Sequence, residues 1–335
     1  MQVFNVSKLP AREVDLTSID HSRGLFLMSF GFDIRPLVRS IEAVGLINPP
    51  ILKEDQGDLV IVAGHRRIQA LRALEAEHTV CMIISENSRI RPLDCLLLNL
   101  WDNLAIRELN DVEKGMVLRR LGAWVPRHEI ARHYMPLMGL PPHEGALSLF
   151  LEVETDYNET IKIFIAEGRL SWRAVKMLST VDAAARLALL QVMSEVRLNA
   201  NQQIQFMDFI TDLSFIEEKT IPQVLREDLL KRVLSDSRMN LPQRAKALLQ
   251  HLKGRRKPTL VAAEKRFKRS VSKLKLPDGV QITAPPYFEG SDYRLEALFK
   301  DGADLKAKLE SLCHSEDLRR INNPWEEGRS CVPSA

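Results

Sequence analysis

One junction constrains this chain more than any other. DLVIVA at 58–63 is a β-prone run, Gly64 interrupts it, and RRIQALRALEA from Arg66 onward has the spacing of a helix. A strand that enters a helix through one glycine belongs to an α/β unit. The surrounding residues agree. In DIRPLVRSIEAVG the apolar residues Ile34, Leu37, Val38, Ile41 and Val44 fall at helical spacing, Pro36 sits near the start and Gly45 is a helix stop. NPPILKE and DLVIVA flank the turn Asp55-Gln56-Gly57-Asp58, and TVCMIIS is a further strand. Residues 33–85 thus alternate helix and strand.

The same junction raises a chemical question. A helix N-terminus exposes backbone N–H groups and a partial positive charge. His65, Arg66 and Arg67 follow Gly64, and cations there are unfavourable unless an anion compensates them. Glycine also lets a ligand approach the backbone closely. Two readings fit: a phosphate held by Gly64, His65, Arg66 and Arg67, or a solvated helix start with Gly64 as a plain turn.

From about Pro92 the pattern becomes helical. PLDCLLLNLWDNLA, NDVEKGMVLRRLGA, PRHEIARHYM, HEGALSLFLEV, NETIKIFIAEG and SWRAVKMLS read as successive helices. DAAARLALLQVMSEV, NQQIQFMDFITDL, EDLLKRVLSD and LPQRAKALLQHLKG follow, with breaks at Gly, Pro, Asn and Ser. A basic helix spans 258–275, and the end holds a β-prone patch, VQITAPPYFEG, and a helix, DLKAKLESL. The expected class is α+β: a small mixed α/β domain over 1–91, then a mainly helical domain over 92–215. A helical connector (216–257), a basic helix with a small α/β element (258–320) and a disordered tail (321–335) complete the expected order.

Net charge is only +3 in 335 residues, but it is unevenly spread. Lys253 to Lys275 holds ten Lys/Arg and one acid, Glu264, a local +9. Such a stripe either tracks phosphates or is a solvated face. Cys81, Cys95, Cys313 and Cys331 form no CxxC pair, which suits reduced thiols. With no signal-like start and no apolar run of membrane-spanning length, the expected location is cytoplasmic, without a membrane partner.

Asp102-Asn103 supplies hard oxygen ligands of the kind Mg²⁺ takes beside phosphates, or Asp102 is a surface carboxylate. Asn110 with Glu113 matches a helix capping box. His128 and His133 lie i, i+5 apart, about 140° around a helix, which is wrong for a zinc-protease pair. No GxxxxGK[ST], GxGxxG or GxSxG motif occurs. Trp172 and Phe164 read as core.

Several of these stretches, in this order, resemble ParB-type partition proteins. SIEAVGLINPPILKEDQGDLVIVAGHRRIQALRAL is similar to the family's N-terminal box, and DNLAIRELNDVEKG to its Glu-Asn-Leu-x-Arg motif. HEIARHYMPLMGLPPHEGALSLFLEV falls where the family keeps a helix-turn-helix, and Gly168-Arg169-Leu170-Ser171 with Ala174 resembles a later signature. The resemblance covers about residues 30–215. It implies that the N-terminal domain binds CTP with Mg²⁺, closing a dimeric clamp on DNA, with slow hydrolysis reopening it. Gly64, His65, Arg66 and Arg67 would contact the phosphates, and Asp102 and Asn103 would support the metal. DNA, a nucleotide, a second copy of the chain and a partition ATPase are the implied partners, with a nucleoid or plasmid association.

The chain departs from the family pattern at several positions. His65 stands for Glu, Gln69 for a common Arg, and Asp102 for Glu. Ile106 occupies the Arg position, with Arg107 one step on. The expected recognition helix carries no Lys or Arg. Nearby cations at Arg127, Arg132, Arg169 and Arg173 suit backbone contact, as do Arg255, Arg256, Lys257, Lys265, Arg266, Lys268 and Arg269 in the basic stripe. CTP hydrolysis is left open. The alternatives are a small-molecule kinase or other phosphotransfer enzyme on this scaffold, with Glu75 or Asp102 as nominal base, and an adaptor with a degenerate pocket.

Overall fold

The computed structural model describes residues 6–20, 24–227, 230, 234, 236–290, 292–315, 318 and 321. Two compact units emerge: Met1–Ser194 with Leu198–Ile204, and Glu195–Arg197 with Gln205–Ala335. The class is α+β, a small sheet followed by helices.

The first unit begins with β1 (Ala11–Asp15) and β2 (Ile19–Asp20), then α1 (Arg35–Val44), β3 (Ile51–Asp55), β4 (Asp58–Ala63), α2 (His65–Ala73) and β5 (His78–Ile84). The sheet order is β1-β5-β3-β4-β2. β1 with β5 and β3 with β4 are antiparallel, whereas β3 with β5 and β2 with β4 are parallel. Both faces are covered, which explains why DLVIVA reads as a continuous apolar run and not as an alternation. Ile61, Cys81 and Ile83 face α1 and α2, in one core with Ile41, Ile68 and Leu71. Val60, Val62 and Ile84 point the other way, into a core with Leu96, Leu100, Val117 and Phe150.

Those last four residues come from α3 (Pro92–Leu104), α4 (Asp111–Leu121) and α6 (Glu144–Asp156), with the short α5 (Arg127–Glu129) lying between α4 and α6 in the chain. Between α5 and α6 lie a π-helical turn at Ile130–Tyr134 and a 3₁₀ turn at Pro136–Met138. The helical core therefore runs through to the sheet without a break at residue 91. α4 and α6 pack closely at Gly115, where a Cβ would stand 3.0 Å from the Phe150 carbonyl oxygen. α7 (Glu159–Ala166), α8 (Trp172–Leu178) and α9 (Ala183–Glu195) continue the helical run. Their starts are capped by side chains: Asn158 accepts from the Ile161 N–H and Ser171 from the Ala174 N–H. Trp172 stacks on Phe150, ring centroids 4.3 Å apart, as a core residue. Cys81 and Cys95 are buried, and burial pushes each thiol up to about 11, so neither is reactive at neutral pH.

α10 (Ala200–Ile216) begins in the first unit and continues into the second. The second unit adds α11 (Ile221–Leu225), α12 (Leu241–Arg256), α13 (Pro258–Lys273), β6 (Val280–Thr283), β7 (Arg294–Ala297) and α14 (Gly302–Cys313). β6 and β7 form an antiparallel pair, with Val280 opposite Ala297. Leu260 and Ala263 of α13 pack with Phe267 and Phe288. Most of the helix expected at EDLLKRVLSD and, apart from Ile321, the expected tail with Cys331 lie outside the described residues. No helix among the described residues is long and apolar enough to cross a membrane.

Candidate functional site

Gly64 caps α2 in the left-handed region, φ 99° and ψ 22°, and has no side chain to cap the helix with. A Cβ there would stand 3.1 Å from Pro50 Cα, Pro50 Cβ and Arg67 Nε. The first hydrogen bond of the helix is from the Ile68 N–H to the Gly64 carbonyl, at 3.0 Å. Among the described residues, the N–H groups of Arg66 and Arg67 meet no acceptor. Gly64→Ala should lower unfolding stability by about 2–4 kcal/mol, from the left-handed backbone and the close contacts together. A loss below about 0.5 kcal/mol in a denaturant titration would show that the loop adapts.

The two arginines point at different carboxylates. Arg66 donates from Nη2 to Glu113 Oε1 at 2.8 Å and from Nε to Ser29 Oγ at 3.2 Å, and its guanidinium lies 4.3 Å from the centre of the Phe32 ring. No acceptor among the described residues meets its Nη1. Arg67 donates to Asp102 Oδ2 at 3.1 Å and to the carbonyls of Asn48 and Pro49 at 2.8 and 3.3 Å. The anions that a basic helix start calls for are thus present within the chain.

Glu113 is the hub. Its side chain is 1 % exposed and accepts four hydrogen bonds, from Arg66, Arg107, and the N–H groups of Phe30 and Asn110. Arg107 Nη1 lies 2.5 Å from Glu113 Oε2, and its Nη2 donates to the Met28 carbonyl at 3.1 Å. The Arg66 guanidinium has its proton affinity lowered by burial and by neighbouring Arg107, and raised again by Glu113. Asn110 and Glu113 do form the capping box legible in the sequence. Nothing local in the sequence marked Glu113 as an arginine partner, because the contact joins positions 47 apart.

Asp102 and Asn103 do not act as a pair. Asp102 is 42 % exposed and turns to Arg67. Asn103 accepts from Arg107 Nε at 2.8 Å and donates to Asn99 Oδ1 and O, both at 2.9 Å. Asn99 in turn donates to the Phe26 carbonyl. Asn103 is an orienting residue for Arg107. Asp102 alone fits a Mg²⁺ held between one carboxylate and phosphates. Among the described residues no cluster of three His, Cys, Asp or Glu could hold a metal. Glu75 lies beyond the far end of α2, about 13 Å of helix from Gly64, so it cannot serve chemistry at that junction. A separate open cleft of about 660 Å³ is lined by Leu25, Asp55, Arg119, Arg120 and Trp124, none of them from this site.

The cations proposed for DNA fall into two kinds. Arg132 and Arg173 are exposed. Arg127 donates to Ser148 Oγ of α6 at 2.8 Å, and Arg169 lies over Phe164 at 3.9 Å while reaching Glu167 and Ser194. α6 carries Glu144, Glu152, Glu154 and Asp156 and no cation. In the second unit Arg255 is held by Glu217 and Glu227, Arg256 by Asp212, and Lys257 sits 4.6 Å over the Tyr287 ring. Arg266 is half-buried. Lys265, Lys268, Arg269 and Lys273 are exposed at i, i+3, i+4 and i+8 of α13, opposite its packed Leu260, Ala263 and Phe267.

No protein-family model matches the chain, and no curated protein matches its sequence. Among solved structures it is similar to the C-terminally truncated chromosome-partitioning protein ParB from Caulobacter crescentus complexed with CTP-gamma-S. That match has 17% identity, covers 51% of this chain and 93% of the other, and has a TM-score of 0.26. The same protein complexed to the centromeric parS site matches at 16% identity over 57% of this chain and 96% of the other, TM-score 0.32. A Pnob8-like ParB-N domain matches at 10% identity over 73% and 98%, TM-score 0.35. At such scores the chains superpose only in part, and what those proteins bind does not transfer with the likeness.

Proposed function

We propose that this chain is a ParB-like DNA-binding protein gated by a nucleotide, CTP with Mg²⁺, in partition of a plasmid, phage or chromosome or in related regulation. The observation that carries the reading is the uncapped start of α2. A left-handed glycine exposes helix N–H groups beside Arg66, whose Nη1 is without an acceptor among the described residues. That is an anion site of the kind phosphates occupy. The ordered motif series supports it, and so does Asp102 beside Arg67.

Charge balance sharpens the chemistry. Arg66, Arg67 and Arg107 against Glu113 and Asp102 leave only one net positive charge. A triphosphate carries more negative charge than that, so a divalent cation must accompany it. The chain's residues bind and orient; hydrolysis has no dedicated base in this arrangement. DNA contact is assigned to exposed cations and not to α6, which offers phosphates no cation of its own. A homodimer is part of the reading: β7 presents Leu295, followed by Leu298 and Phe299, 49, 76 and 55% exposed, which a second copy would cover.

Calorimetric titration with CTP, ATP, GTP and UTP, each with Mg²⁺, tests the gate. Selective CTP binding, weakened at least about tenfold by Arg67→Ala, is expected. A folded protein that takes none of the four nucleotides would instead be an adaptor with a degenerate pocket.

A further inference from the structure

We infer that Glu113 is the resident anion of the Arg66 site, displaced from that arginine when a phosphate group enters, so that occupancy loosens the 28–32 segment from the start of α4. The inference rests on the anion site proposed above and concerns how that site is regulated.

A carboxylate offers about four lone-pair positions, and Glu113 has all of them filled. Oε1 accepts from Arg66 Nη2 at 2.8 Å and from the Phe30 N–H at 3.1 Å. Oε2 accepts from Arg107 Nη1 at 2.5 Å and from the Asn110 N–H at 3.0 Å. The side chain is 1 % exposed, whereas that of Arg66 is 28 % exposed. Arg107 is 18 % exposed, so Arg66 is the more open of the two arginines through which solvent, and anything dissolved in it, reaches the network.

A phosphate seated on the α2 N–H groups and Arg66 Nη1 would place a second anion on a guanidinium that Glu113 already holds. Like charges that close, with no water around one of them, disfavour each other strongly. The phosphate has the exposed side and the helix N–H groups. Glu113 has an alternative, because Arg107 stays bound to it and keeps its charge compensated. The geometry thus lets Arg66 change partner without leaving an isolated buried charge.

The partner change reaches beyond the site. The 28–32 segment is tied to the start of α4 by the Phe30 N–H to Glu113, by Asn110 Nδ2 to the Phe30 carbonyl at 2.9 Å, and by Arg107 Nη2 to the Met28 carbonyl. Phe32 of the same segment lies against the Arg66 guanidinium. Moving Glu113 disturbs the first of these ties directly. Moving Arg66 disturbs the stacking.

The test uses the full chain and inorganic tripolyphosphate. Amide hydrogen exchange is followed at Phe30 and Asn110, whose N–H groups both end on Glu113, with binding measured by calorimetry for the wild type and Glu113→Gln. Faster exchange at both amides on binding is expected, with tripolyphosphate held about tenfold more tightly by Glu113→Gln because the competing charge is gone. A Glu113 that merely orients Arg66 gives the opposite sign, weaker binding by the variant. Binding with unchanged or slower exchange at these amides overturns the displacement and leaves the anion site standing. No binding to the folded wild type overturns both. Should the variant not fold, exchange in the wild type alone decides.

Discussion

Glu113→Ala is expected to lower the thermal midpoint of the first unit by about 10 °C, a loss of about 3–5 kcal/mol. Its carboxylate is fully buried and compensates two guanidinium groups and two backbone N–H groups. Alanine leaves Arg66 and Arg107 facing each other without an anion, and leaves the Phe30 and Asn110 N–H groups without an acceptor. Asn110→Ala is the control. It removes the other half of the capping box and should cost only about 1 kcal/mol beyond its bond to the Phe30 carbonyl. Equal effects from the two variants would reduce Glu113 to an ordinary helix cap.

The second large effect concerns DNA. If α13 tracks phosphates, replacing Lys265, Lys268, Arg269 and Lys273 together by alanine should flatten the dependence of log K on log salt by about 3–4 and weaken binding about a hundredfold at low salt. These four side chains lie on the exposed face of the helix, so the change should leave its packed face intact. Arg255→Ala makes the instructive comparison. Its guanidinium already lies on Glu217 and Glu227, at 2.6 and 2.8 Å, so the salt slope should stay the same even though folding stability falls. An unaltered slope in the fourfold variant would move the DNA contact to another surface.

Local patterns in the sequence carried most of the architecture. Helix starts and stops at Gly45, Asn110, Asn158 and Ser171, and the strand runs at 51–55, 58–63 and 78–84, all have local causes, so they were legible. The two N-terminal strands carry no such local signal. β1 is mostly exposed and polar and owes its strand to pairing with β5, while β2 is only two residues long. β7 likewise has little buried surface and is defined by β6. The site divides in the same way. Gly64 and the two arginines stood out because a junction and a charge anomaly are local. Arg107 lies one residue out of register with the motif, yet it reaches Glu113 at 2.5 Å. Glu113 itself was legible only in its capping role. The stripe from Lys253 to Lys275 looks uniform in sequence, but Lys253, Arg255 and Arg256 face carboxylates, whereas Lys265, Lys268, Arg269 and Lys273 on α13 are exposed. Long-range ion pairs decide such questions, and no spacing rule reports them.

The sheet is covered on both sides, and one of those covers is supplied by helices that follow it in the chain. β4 and β5 place Val60, Val62 and Ile84 against Leu96, Leu100 and Val117. A fragment that stopped after β5 would turn one whole side of its sheet into a greasy, solvent-facing slab, prone to stick to its neighbours. The α/β portion is therefore not a detachable cartridge. Sharing that core, it is expected to melt together with α3, α4 and α6, and a clean cut is expected further along the chain.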